Sequence, residues 1–206
     1  MTKLNGMRRT GRRRFIETYE FSPALHRKLR EELGDAREAD IALEGLRAWY
    51  LACLYANGDL IGMPSKAVDE AWHEMILMTR EYTDFCQRAF GRYLHHLPDT
   101  TLSVPMHQLN EHTLRIVDDH ELPLTLFTAD ADAGLDDGYR WSSADLQRMR
   151  SANDTWRAAK PHRRRATSSD SGNYGWWGGG FFGGDSGGGG SDGGGGCGGG
   201  GCGGGG

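Results

Sequence analysis

The chain has 206 residues, a formal charge of −4 at neutral pH and a pI near 6.1. A mild excess of acid argues against general nucleic-acid binding through phosphate neutralisation, and four cysteines over this length exclude the dense disulfide framework of a small secreted domain. Composition also divides the chain: 23 of the 35 residues from Gly172 to Gly206 are glycine, too little apolar surface to offset the entropy of ordering them, which leaves a body of about 150–165 residues, the size of one domain with one core.

Charge is concentrated at the edges of that body. Lys3, Arg8, Arg9, Arg12, Arg13 and Arg14 make the N-terminus basic, and a second basic run spans Lys160 to Arg165. Beyond it only acidic charges occur, at Asp170, Asp185 and Asp192. Arg12-Arg13-Arg14-Phe15-Ile16 has the outline of a twin-arginine export signal, but Glu17, Glu20, His26, Arg27 and Lys28 stand where its apolar stretch must be. No apolar run reaches the length of a membrane-spanning helix, so a cytoplasmic protein without a membrane partner is expected. The predicted division is a flexible basic N-terminus over 1–14, a helical domain over 15–157 and a disordered linker and glycine-rich tail over 158–206.

In chain order, Ser22-Pro23 supplies an N-cap and a proline at the first helical position, opening a helix from Pro23 to Leu33 that stops at Gly34. A longer helix is predicted from Glu38 to Ala56, where Leu43, Leu46, Trp49, Tyr50, Cys53 and Leu54 keep helical spacing, and Asn57-Gly58 ends it. Pro64-Ser65 then opens the segment Val68 to Leu97. Val68, Ala71, Trp72, Met75, Ile76 and Thr79 form one apolar helical face; Tyr82, Phe85, Cys86, Ala89, Phe90 and Tyr93 continue the same spacing. Pro98-Asp99 reads as a turn, Gln108 to His120 as a helix, Leu122 to Thr128 as a short strand or extended segment, Asp130 to Gly138 as a loop, and Ser143 to Arg150 as a last helix. The fold class is therefore mainly α, about five helices with a short extended segment near Leu124.

The segment Asp69 to His96 holds the densest set of metal-ligand side chains. Asp69 and His73 are four apart and share a helix face, which suits a carboxylate that orients an imidazole or shares a cation with it. Cys86, His95 and His96 could complete the set around a divalent ion such as zinc, with Asp69, His73, Cys86 and His95 the preferred four. Geometry decides the matter: in one straight helix His73 and Cys86 lie ~20 Å apart along the axis, and only a break near Thr79 to Glu81 would bring them together. No glycine or proline enforces that break. In the straight case Trp72, Cys86 and Phe90 are core, and Asp69–His73 is a hydrogen-bonded pair at its edge.

Other motifs fail on inspection. His73-Glu74-Met75-Ile76-Leu77 begins like a zinc-protease helix but has Leu77 in place of the second histidine. Asp130-Ala131-Asp132-Ala133-Gly134 resembles a calcium loop, yet Trp141 stands at the twelfth position in place of glutamate. No nucleophile elbow or phosphate-binding glycine loop occurs. Cys197 and Cys202 read as exposed thiols in coil rather than a metal site, because glycine makes ordering them costly.

Val68-Asp69-x-x-Trp72-His73, followed by Tyr82, Cys86, Gly91 and Leu94-His95, resembles the signature of the glycine-rich domain-containing protein family. The resemblance covers mainly residues 40–97 and the plan of a helical body before glycine-rich sequence. Plant members carry a second histidine where this chain has Met75, and a proline near Arg80. That proline implies a helix break at this point, although Met75 removes one donor. The stress and RNA-associated roles of plant members are not carried over, since the tail has no Arg-Gly repeats.

Three functions follow as expectations, with no catalytic residue assigned. The first is a non-enzymatic interaction module binding a protein partner, its tail giving reach or self-association. The second is a metal-binding or metal-dependent protein using Asp69, His73, Cys86 and His95. The third is weak RNA binding through the basic N-terminus and the tail aromatics Trp176-Trp177 and Phe181-Phe182.

Overall fold

The computed structural model describes residues 2–97 and 104–159. The glycine-rich tail, its aromatic pairs, Cys197 and Cys202, the Lys160–Arg165 run and the Pro98-Asp99 turn lie outside the described residues. Eight helices occur among those described: α1 (Thr2–Glu17), α2 (Pro23–Leu33), α3 (Ala36–Ala56), α4 (Lys66–Leu77), α5 (Thr79–Ala89), α6 (Met106–Asp119), α7 (Thr125–Asp132) and α8 (Ser143–Ala159). The described region contains no strand, and no helix in it is long and apolar enough to cross a membrane.

α3 is the central element. Its start is held by a capping box, in which the Glu38 N–H donates to Asp35 Oδ1 at 2.8 Å and the Asp35 N–H donates to Glu38 Oε2 at 3.1 Å. Its end is Asn57 in the left-handed conformation, φ 52°. Buried residues ring most of the helix, from Ala39 through Leu46, Trp49 and Tyr50 to Ala56, the pattern of a helix enclosed on all sides. α1, α2, α4, α6 and α7 pack around it. Gly45 lets α4 approach, since a Cβ there would meet Val68 Cγ2 at 2.3 Å.

The observed helices depart from the sequence expectation in three main places, besides α8 continuing to Ala159 past the expected end at Arg150 and α7 taking in Asp130 from the expected loop. Residues expected to be flexible at the N-terminus lie in α1, which is docked by burial of Ile16 and by Arg47. The Arg47 guanidinium donates to the carbonyls of Ile16 at 2.7 Å and Tyr19 at 2.9 Å, satisfying acceptors that a helix end leaves open. The segment expected to be extended near Leu124 is instead the start of α7: Leu126, Phe127 and Ala129 are buried against α3 and α4, and that packing overrides the short apolar run. Third, the apolar face from Val68 to Tyr93 is not one helix. Met78 adopts φ −79°, ψ 58° and separates α4 from α5. The helix count therefore exceeds the expected five.

Asp130, near the end of α7, joins this core to the start of α4. It is 1% exposed. Its carboxylate accepts from the Ser65 hydroxyl at 2.6 Å, the Lys66 N–H at 3.0 Å, the Ala67 N–H at 2.9 Å and the Tyr139 N–H at 2.7 Å. Two of those donors belong to the first turn of α4, where orphan N–H groups and the helix dipole favour an anion. Ser65 is also the N-cap of α4, accepting from the Val68 N–H at 3.1 Å. Asp130 is thus a structural carboxylate in a helix rather than part of a loop. Asp130→Ala strands three backbone N–H groups and a hydroxyl, and is expected to destabilise the fold by about 3 kcal/mol or more, a fall in melting temperature of roughly 6–12 °C by thermal denaturation.

Candidate metal centre

The break at Met78 is maintained by the groups it brings together. The Trp72 Nε1–H donates to the Tyr82 hydroxyl at 3.0 Å, across ten residues that an unbroken helix would separate by ~15 Å along its axis. The Tyr82 hydroxyl in turn donates to the Leu94 carbonyl at 2.5 Å. Burial pushes the Tyr82 phenol far above its ordinary range, which keeps it protonated and able to donate. Beside it, Phe85 packs against Phe15, Tyr19 and Tyr50, and Leu94 is fully buried. The chain leaving α5 is therefore held to α4 through one tyrosine.

Two residues beyond Leu94, this segment delivers His96 to the exposed side of α4. The His96 ring lies 4.6 Å from the Trp72 ring and 4.5 Å from the His73 ring. Its Nε2 is 3.1 Å from Asp69 Oδ1, and His73 Nδ1 is 3.8 Å from Asp69 Oδ2. One carboxylate thus stands between two imidazoles, and the three donor atoms all lie within 4.8 Å of one another. The ligand atoms of a tetrahedral zinc are about 3.3 Å apart, given bonds of roughly 2.0–2.1 Å, beside histidine–carboxylate spacings here of 3.1 Å and 3.8 Å.

The cluster forms part of the wall of a cleft of about 410 Å³. The side chains of Asp69, His73 and His96 are 36%, 45% and 24% exposed, so an ion held by them would face the cleft. Ile61, Gly62, Met63, Ser65 and Lys66 also line the cleft. Gly62 is pinned to α6, its N–H donating to Thr113 Oγ1 at 3.0 Å and its carbonyl accepting from the Thr113 hydroxyl at 2.7 Å. A Cβ at Gly62 would meet Asn110 Oδ1 at 2.2 Å, so this close approach requires glycine.

Of the four residues preferred from spacing, the structure brings together Asp69 and His73, and sets beside them His96 rather than its neighbour His95. Cys86 is fully buried in the core; burial raises its thiol pKa, and its neighbours are the Leu94 backbone and the Tyr82 hydroxyl. That environment favours a protonated thiol rather than a thiolate ligand. His95 points the other way from its neighbour, exposed, with its ring 4.8 Å from that of Tyr93. The His95–His96 pair carried the signal for the third donor, but the choice between them depends on which side of an irregular segment faces α4. A larger groove of about 630 Å³ lies between α1 and α5, lined by Phe15, Tyr19, Met78, Phe85 and Arg88; it contributes nothing to the donor cluster.

Fold and site together define a mainly helical domain with a two-histidine, one-carboxylate cluster in an interhelical cleft. The chain belongs to the UCP032817-like family, whose model matches residues 11–162. No curated protein and no solved structure matches the chain. Tyr82→Phe keeps the buried ring but leaves Trp72 Nε1 and the Leu94 carbonyl without their partner; a loss of about 1–3 kcal/mol is expected in denaturant unfolding, with a changed Trp72 environment in near-UV circular dichroism.

Proposed function

We propose that this protein binds a divalent transition-metal ion through Asp69 Oδ, His73 Nδ1 and His96 Nε2. The observation that carries the reading is the convergence of three donor atoms within 4.8 Å at the wall of a cleft. Two imidazoles and one carboxylate suit zinc, and equally iron(II) or cobalt(II). Three protein ligands with an accessible side resemble metal sites that hold water or a substrate more than closed four-ligand structural sites. The packing of Trp72 against His96 and the hydrogen bond from Trp72 to Tyr82 supply the orientation that a metal-binding imidazole needs. Of the residues that carry the resemblance to glycine-rich domain-containing proteins, Asp69, Trp72 and His73 line the cleft. The interaction-module reading draws on the tail, outside the described residues, and the cleft favours the metal reading over it.

Metal content of the purified full-length chain, with titration of the metal-free form by zinc, tests this. One equivalent above the His73→Ala background is expected, with affinity about 100-fold or more weaker in Asp69→Ala and His96→Ala, an effect at least as large as loss of an outer-shell partner. Using His73→Ala as reference removes any contribution of Cys197 and Cys202. His95→Ala should bind as the wild type does. Chelation should lower the melting temperature of the wild type and leave that of His73→Ala unmoved. A wild type with no metal above the His73→Ala level, and no zinc uptake, would overturn the reading.

A further inference from the structure

We infer that the cleft beside Asp69, His73 and His96 takes a small amphipathic monoanion, a carboxylate on a short aliphatic chain, with its head on the metal and its chain along the cleft. The inference rests on the metal reading and extends it to the ligand. Two features of the cleft carry it, and the first is charge. A divalent ion with one carboxylate and two neutral imidazoles keeps one unit of positive charge. The other charged lining residue is Lys66, whose ammonium lies 2.8 Å from the Asp137 carboxylate and is locally balanced. The site therefore matches a head group of charge −1, whereas a dianionic phosphate would leave it with a net charge of −1.

The second feature is the apolar lining. Trp49, Ile61, Met63, Leu97 and Met106 line the cleft along with the polar cluster. Leu97 is 37% exposed although it follows the buried Leu94 by only three residues, and Met63 and Met106 offer flexible thioethers that adapt to an aliphatic chain. A cleft of about 410 Å³ is at the small end of ligand sites, a size that suits a short aliphatic chain. Head and chain are thus recognised by adjoining but chemically different surfaces, a geometry that a purely polar ligand such as acetate uses only in part.

The full-length protein loaded with cobalt(II) reports directly on coordination through its visible absorption, again referenced to His73→Ala. Titration with acetate, butanoate, hexanoate and octanoate should perturb the cobalt bands in each case, with the dissociation constant tightening about fourfold per buried methylene until the cleft is filled. Leu97→Ser, a partly exposed position, should weaken octanoate while leaving acetate and cobalt affinity unchanged. Equal affinity across the series would overturn the inference while the metal reading stands, as would octyl phosphate binding more tightly than octanoate. Failure to bind cobalt would overturn both.

Discussion

Tyr82 buries a hydroxyl that accepts from Trp72 and donates to the Leu94 carbonyl. A polar group with no access to water must find partners within the protein or cost several kcal/mol, and here all three groups find them in one another. The consequence is geometric: residues on α4, on α5 and on the segment beyond α5 are held to one point. Met78 takes up the backbone change in a conformation outside the helical region. The apolar spacing from Val68 to Tyr93 is compatible with a straight rod; the relay, with the packing of α5 against α1 and α4, favours the bend that brings His96 to Asp69.

A second constraint fixes the other end of α4. Asp130 satisfies the first-turn N–H groups of α4 and the Tyr139 N–H with one buried carboxylate, while Gly45 on α3 permits close contact with Val68. Asp69 and His73 therefore stand on a helix held at its start by hydrogen bonds, along its length by core packing and at its end by the bend. At the outer edge of the site the His73 side chain is the most exposed of the three. The buried thiol of Cys86 serves the core instead, beneath the tyrosine.

Much of the fold was legible beforehand. Ser22-Pro23, Gly34, Asn57-Gly58 and Ser65 are local signals, and α2, α3 and α4 start or stop at them. Asp69 and His73 belong together because a helix places residues four apart on one face whatever surrounds it. α1 and α7 were not legible, since each depends on a distant element: α1 on Arg47 from α3, α7 on burial against α3 and α4. Asp130 was equally hidden, because a lone aspartate in a stretch of alanine and aspartate carries no mark of the helix start it will cap.

The sequence by itself determined a mainly helical body, the limits of α2, the end of α3, the start of α4 and the placing of Asp69 and His73 on one helix face, all of which follow from interactions within a few residues. Only the tertiary structure decided where the long apolar face breaks and which of two adjacent histidines turns toward α4. Both depend on a buried tyrosine reaching partners ten and twelve residues away, and helical periodicity, which is the same on either side of a bend, holds no information about that contact.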